Sequence, residues 1–308
     1  MNLLITGSSG MIGTRLAERL VGQRKVVGVD IRPNAWNEAV DKLTIRADLR
    51  EPAAYANLPA TADIIVHLAA NPGVVSLVAD PLQALDNIVM LYHLLEYARR
   101  SNIRRVLFAS SREVYGEAPA ATRTEDEAFV HDCESPYTAS KFGGEAILHA
   151  YRRCFGIEPV ILRFSNVYGM YDDSDRLIPR FLRQATKNEP LEVYGREKMM
   201  DFAYIDDIVD GIVLAIDKFG TVIGGTFNLA FGESHTILSV ARLVKEFLRS
   251  ASEIVVGENR TGEIMQYEAN IDRARAELGF SPRVPLEDGL RAAIAWYDKR
   301  NFLAQRSN

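Results

Sequence analysis

Apolar and polar positions alternate between two periods along the first half of the chain. Met1 to Thr6 is a short apolar run, and it breaks into Gly7-Ser8-Ser9-Gly10-Met11-Ile12-Gly13. A helical repeat through Leu16, Ala17, Leu20 and Val21 follows. This order predicts a strand, a glycine turn and a helix. Further strands are expected at Lys25–Asp30, within residues 43–49 together with an exit loop, at residues 63–68 and 105–109, and at Glu158–Phe164. Residues 81–100 repeat as a helix whose apolar surface (Leu82, Leu85, Ile88, Val89, Leu91, Tyr92, Leu94, Leu95) is wider than one stripe. Such a helix is either fully buried or shared with a second subunit. Ser135 and Pro136 read as the start of another helix, which carries Tyr137 and Lys141.

Strands that alternate with helices predict an α/β fold with a doubly wound, mostly parallel sheet. Beyond residue 170 the period is less regular. Helices are expected at Leu177–Thr186 and at residues 206–219, 238–248, 272–278 (closed by Gly279) and 286–297. Strands are expected at Leu191–Tyr194, at residues 202–205 and at Thr226–Leu229. The division that follows is a first domain over 1–169 and a smaller C-terminal α/β domain, mainly substrate-binding, over 170–308. Residues from about 202 to 229 are expected to return to the first. Residues 117–134, acidic and irregular, read as a surface excursion.

Composition narrows the class. The chain has 308 residues, 47% of them apolar and 25% charged, with a formal net charge of -5. No basic tail or cluster points to nucleic acid or to an anionic membrane surface. Cys133 and Cys154 are the only cysteines, too few for a disulfide scaffold and not a metal-binding pair, so no metal is expected and a reducing cytoplasm is. Neither a signal peptide nor an apolar run of membrane-spanning length is visible.

The glycine turn carries the first candidate chemistry. Gly7 permits the tight turn, Gly10 lets the backbone approach a pyrophosphate, and Gly13 lets helix and strand pack closely; the helix N-terminus then faces the anion. A glycine-rich turn without a ligand is the competing reading. Asp30, at the end of the next strand, is placed to accept from ribose hydroxyls and to repel a 2′-phosphate, or else is an exposed turn acid. Asp48 either touches an adenine amino group or caps a helix near Pro52. Small residues after the strand at 63–68, Ala69 and Ala70 among them, leave room for a cofactor.

Tyr137 and Lys141 lie four apart on one helix and share a face. A nearby ammonium and a bound nicotinamide cation would favour the tyrosine phenolate and bring it toward neutral pH. Ser111, after the neighbouring strand, can hydrogen-bond the same reacting oxygen.

Together these residues resemble the extended short-chain dehydrogenase/reductase family, in its NAD-dependent epimerase/dehydratase branch acting on nucleotide sugars. The resemblance spans nearly the whole chain. Gly7, Gly10, Met11, Ile12 and Gly13 match the cofactor turn, Asp30 the ribose acid, and Asp48 with Leu49 the adenine side. His67-Leu68-Ala69-Ala70 matches the loop beside the cofactor and Asn87 the helix asparagine. Ser111, Tyr137 and Lys141 match the catalytic serine, tyrosine and lysine, and the last two also touch the cofactor in the family. Arg163, Asn166, Tyr168 and Gly169 match the motif whose asparagine contacts the diphosphate. Asp201-Phe202 and Tyr204-Ile205-Asp206-Asp207 match a later signature, and Arg260-Thr261-Gly262-Glu263 the segment whose arginine holds the diphosphate.

The resemblance implies a Rossmann sheet, NAD as cofactor, a nucleotide-sugar substrate, and a homodimer through helices 81–100 and 137–155. It also implies C4 epimerisation of a UDP-hexose as the leading activity. Two positions depart from the pattern: Met200 replaces an arginine, for which Arg196, Lys198 or Arg176 would compensate, and Met170 replaces a proline. Ser111-Arg112-Glu113 bears on the reaction and places Arg112 and Glu113 beside the sugar. The family's 4,6-dehydratases carry aspartate and glutamate there, so Arg112 disfavours dehydration. UDP-glucuronate decarboxylases carry glutamate at the position of Glu113. Arg112 would pair with a uronate carboxylate or with Glu113, or face solvent. Phe181, Tyr194, Met199 and Phe231 read equally as pocket or core.

Overall fold

The protein is described here as a computed structural model, covering residues 1–117, 122–260 and 264–300. A seven-stranded parallel sheet runs in the order Thr226–Leu229, Glu158–Phe164, Arg105–Ser111, Ile64–His67, Asn2–Thr6, Lys25–Asp30, Thr44–Arg46. The strand direction of growth reverses between Asn2–Thr6 and Ile64–His67, and such a reversal opens a crevice at the carboxyl ends of the strands.

Alternation along each strand builds two cores. Leu4, Ile65, Val106, Phe108 and Ile161 face one side, where they meet Leu91 and Leu94 of helix Leu82–Arg100 and Leu148 of helix Pro136–Phe155. Their neighbours Leu3, Ile5, Val66, Leu107, Val160 and Leu162 face the other, against Leu16 and Leu20 of helix Met11–Leu20 and Ile208 and Ile212 of helix Ile205–Asp217. Strands covered on both faces read as continuous apolar runs, as Ile64-Ile65-Val66 does. The last two helices are also tied by ion pairs, Arg15 Nε to Asp206 at 2.6 Å and Arg19 to Asp210 at 2.8 Å.

A second, five-stranded sheet orders Ser234–Thr236, Met199–Tyr204, Gln266–Ala269 and Thr122–Arg123, with Asn166–Tyr168 also pairing to Met199–Tyr204. Leu191–Tyr194 pairs with Ile254–Gly257 in a separate two-stranded sheet. The chain therefore crosses between layers in both directions: residues 205–229 complete the large sheet, while residues 122–123 and 166–168 extend the smaller one.

Several expectations are sharpened. Residues 117–134 are mostly exposed and irregular where described, as expected of a surface excursion, but Thr122–Arg123 pairs with Gln266–Ala269, and Arg123 and Glu125 are buried. Pairing with a strand so distant leaves no local period to read. The third strand, expected with its exit loop over 43–49, is Thr44–Arg46, and the chain turns at Asp48, whose carboxylate accepts the Arg50 N–H at 3.0 Å. The strand expected at 202–205 begins at Met199, and residues 274–278 form a wide helical turn closed by left-handed Gly279. Among the described residues, no helix is long and apolar enough to cross a membrane.

Candidate active site

The crevice is built first by the glycine turn. Gly7 has φ +73°, and a Cβ there would lie 2.7 Å from the Ala69 nitrogen. A Cβ on Gly13 would lie 2.1 Å from the Gly7 carbonyl oxygen. Helix, strand and the Leu68-Ala69-Ala70 run thus touch through backbone alone. Gly10 differs: its Cβ would meet only the Gly7 oxygen, at 3.3 Å, and open space lies beyond. Gly10 is also the N-cap of helix Met11–Leu20 and offers no side chain to its N–H groups. These donors, facing space that a side chain would fill, fit a dinucleotide pyrophosphate.

Asp30 is not an exposed turn acid. It is buried, and its two oxygens accept the Ser9 and Arg32 N–H groups at 2.9 Å each, which ties the glycine turn to the end of its strand. Thr6 bonds His67 Nδ1 at 2.7 Å and accepts from the Ala69 N–H. Burial pushes the His67 imidazole down to about 3, so it is neutral.

Three further residues expected at the cofactor each make contacts within the protein. Asp48 does not cap the helical turn at Pro52; it pairs with Arg50 at 2.6 Å, which holds its carboxyl below the usual range. Leu49 is buried, and its carbonyl accepts the Tyr55 hydroxyl. Asn87 accepts the Asn71 N–H at 2.7 Å and donates to the Asn71 carbonyl and to Ser140, so it braces the cofactor loop against the helix of Tyr137. Met11 is buried and Ile12 half-buried on the first helix turn.

Ser111 ends the strand Arg105–Ser111, and Tyr137 and Lys141 sit in the first turns of helix Pro136–Phe155. That helix starts because Ser135 accepts the Thr138 N–H at 3.1 Å and Pro136 occupies its first position. The Ser111 hydroxyl lies close enough to the Tyr137 phenol to favour its ionised form. Lys141 Nζ lies 5.9 Å from the Tyr137 ring centroid and donates to the Ala109 carbonyl at 2.9 Å. The three residues expected to share a site are therefore brought together.

Burial dominates the electrostatics of this group. It pushes the Tyr137 phenol up to about 12; the Ser111 hydroxyl opposes this first, with the Arg176 and Arg112 charges, while Glu113 adds to it. Burial likewise pushes the Lys141 ammonium down to about 8, against the pull of Glu145. Desolvation outweighs the groups that oppose it, and Tyr137 is a neutral phenol at neutral pH. Glu145 lies one turn beyond Lys141 and was missed, although its spacing places it on the same face. It accepts from Ser110, and from Arg163 through Nε at 3.0 Å and Nη2 at 2.7 Å.

On the substrate side, Arg112 pairs with Glu113 at 2.6 Å, both buried. Arg112 Nε also donates to Asn166 Oδ1 at 3.2 Å, and Asn166 Nδ2 donates to the Asp201 carbonyl. Met200 is a core residue. Of its three suggested substitutes, Arg176 is the one whose charge reaches Tyr137; it pairs with Asp172 at 2.7 Å. Arg196 is exposed and Lys198 buried. Arg260 stacks on Tyr194 at 3.6 Å from the ring centroid, and residues 261–263 of its segment lie outside the described residues. Phe181 is fully buried core, whereas Met199 and Phe231 are half-buried.

Residues 3–230 match the model of the NAD dependent epimerase/dehydratase family. The chain is 33% identical to an uncharacterized UDP-glucose epimerase, YtcB, of Bacillus subtilis, over 96% of this chain and 98% of the relative. Its fold is similar to the crystal structure of UDP-glucuronic acid 4-epimerase from Bacillus cereus in complex with UDP-glucuronic acid and NAD: TM-score 0.88, 29% identity, 97% of this chain and 100% of that one. It is also similar to the dTDP-glucose 4,6-dehydratase DesIV from Streptomyces venezuelae with NAD bound: TM-score 0.90, 27% identity, 98% of each chain.

Proposed function

The chain belongs to the NAD-dependent epimerase/dehydratase family, and on that footing we propose that it is an isomerase inverting C4 of a nucleoside-diphosphate hexose, UDP-linked, through a 4-keto sugar. NAD is its resident cofactor, taken by the open face of Gly10 and the first N–H groups of helix Met11–Leu20, with Asp30 at the ribose. Residues 1–169 are read as the cofactor unit and 170–308 mainly as the substrate unit.

Tyr137 takes the proton of the C4 hydroxyl and later returns it, while Ser111 shares the reacting oxygen and orients it. Bound NAD supplies the acceptor and donor of the C4 hydride and, when oxidised, a positive charge that favours the Tyr137 phenolate. That help is needed, since burial, net of the neighbouring groups, holds the phenol at about 12. Lys141, fixed by the Ala109 carbonyl, holds the cofactor ribose and adds its charge. Asn166 and Arg260 are read as holding the diphosphate through directed, charge-assisted hydrogen bonds.

Relatives of this chain include both epimerases and dehydratases. The observation that carries epimerisation is the buried Arg112–Glu113 pair. Loss of water from the sugar needs an acid beside the glutamate, and here that position holds a guanidinium that also engages the glutamate. Glu113 supports a second reading, UDP-glucuronate decarboxylation. Exposed Leu82, Leu85, Tyr92 and Phe155 on helices Leu82–Arg100 and Pro136–Phe155 support a homodimer through these two helices. The two free cysteines support a reducing, cytoplasmic setting.

NMR product analysis of NAD-loaded protein with UDP-glucose, UDP-galactose, UDP-N-acetylglucosamine and UDP-glucuronate tests the reading. Interconversion of C4 epimers at constant mass is expected, and Tyr137→Phe is expected to abolish it while NAD stays bound. Release of carbon dioxide from UDP-glucuronate would instead make the chain a decarboxylase.

A further inference from the structure

One buried cluster beside the site leaves polar atoms without partners. Arg112 and Glu113 leave the strand Arg105–Ser111 in the helical turn Arg112–Tyr115. Arg112 Nη2 is taken by Glu113 Oε1 and Arg112 Nε by Asn166, while the guanidinium lies 5.6 Å from the centroid of the buried Tyr267 ring. Arg112 Nη1, Glu113 Oε2 and the Tyr267 hydroxyl remain, each shut off from solvent and without a hydrogen-bond partner. Groups buried in this way are uncommon, because each forfeits its hydrogen bonds to water. Arg112 and Glu113 act on the Tyr137 phenol with opposite sign, and Arg112 bonds Asn166. The cluster therefore borders the place where the proton moves.

A lone arginine here would welcome a carboxylate. This one is already neutralised by Glu113, and what the pair still offers is one cationic donor and one anionic acceptor. A hydroxyl complements both, since it donates to Glu113 Oε2 and accepts from Arg112 Nη1. A carboxylate can only accept, and it would bring like charge against Glu113.

We infer that Arg112 and Glu113 are a specificity-determining pair, which makes the site take a nucleotide sugar with a neutral hydroxylated substituent beside the reacting carbon and reject the corresponding uronate. The inference rests on the nucleotide-sugar reading above. The substrate hydroxyl reaches the pair as the Arg112 and Tyr267 side chains part, a rotamer change of the kind that commonly accompanies binding.

Calorimetric titration of NAD-loaded protein with UDP-glucose and with UDP-glucuronate tests the pair. UDP-glucose is expected to bind about tenfold or more tightly than UDP-glucuronate. Glu113→Gln leaves Arg112 cationic and shifts that ratio toward the uronate by about tenfold; Arg112→Gln leaves Glu113 anionic and shifts it the other way. Opposite shifts from adjacent residues do not come from general loosening, and any effect on the diphosphate through Asn166 cancels in the ratio. Preference of the unmodified protein for UDP-glucuronate, or ratios unmoved by both variants, would overturn the inference alone. Binding of neither sugar would overturn the UDP-hexose reading, and the inference with it. If one variant does not fold, the other and the unmodified ratio decide.

Discussion

Replacement of Gly13 by alanine should abolish tight NAD binding while leaving the chain folded. The added Cβ would sit 2.1 Å from the Gly7 carbonyl oxygen and 2.8 Å from the Gly7 carbonyl carbon and the Ser8 Cα. Non-bonded carbon atoms settle about 3.5 Å or more from their neighbours, so the turn and the helix N-terminus must separate by more than ~1 Å. All three clashing atoms are backbone, so no side-chain rotation relieves them. An N–H···O bond of about 2.9 Å stretched by that amount is no longer a bond. A hydrogen bond to a charged group is worth roughly 1.5–3 kcal/mol, and loss of two of them weakens NAD binding by about two to four orders of magnitude. Overpacking itself costs only about 1–3 kcal/mol, which a chain with two extensive cores survives. Gly220→Ala is the control, because its Cβ would meet nothing within 4 Å and its backbone is not left-handed. NAD affinity would be measured by titration calorimetry, and folding by urea denaturation. A folded Gly13→Ala protein that binds NAD within about threefold of the unmodified chain would refute the assignment of this turn as the pyrophosphate cradle.

Two further outcomes concern the frame around the site. Glu145→Ala leaves the Arg163 guanidinium buried without its ionic partner and Ser110 without its acceptor, so stability should fall by about 3–5 kcal/mol in urea denaturation; a loss below ~1 kcal/mol would mean that Glu145 is not what holds the helix of Tyr137 to the strands of Ser110 and Arg163. Asp201 is fully buried and its carboxyl is pushed up to about 6 by burial, against the N–H groups of Phe231, Gly232 and Ala269. A raised carboxyl binds its proton more tightly folded than unfolded, so its stabilising contribution is complete below the ordinary value of 3.8 and fades as the pH rises through about 6. The stability of Asp201→Asn relative to the unmodified chain should therefore improve across that window, and a difference that stays flat would show that Asp201 does not titrate there.

The glycine turn was legible because each of its requirements falls within a few consecutive residues: a left-handed Gly7, a Gly13 with no room for a Cβ, and a helix repeat directly after them. Helix Pro136–Phe155 was legible for the same reason, since Ser135, Pro136 and the four-residue spacing of Tyr137 and Lys141 are local. The strand Thr122–Arg123 was not, because its partner, Gln266–Ala269, lies on the far side of the chain and two residues carry no period.

The site divides along the same line. Order and spacing along the chain were enough to nominate Ser111, Tyr137 and Lys141, and to set the parallel sheet that brings their elements to one end. The protonation of Tyr137 was not written there, because desolvation depends on everything folded over the hydroxyl. Nor was the partner of Arg112: a guanidinium in the sequence is equally ready for solvent, a substrate carboxylate or Glu113. Periodicity and steric necessity act between neighbours and can be read from the sequence, whereas burial and charge pairing depend on residues that only the tertiary structure brings within a few ångströms.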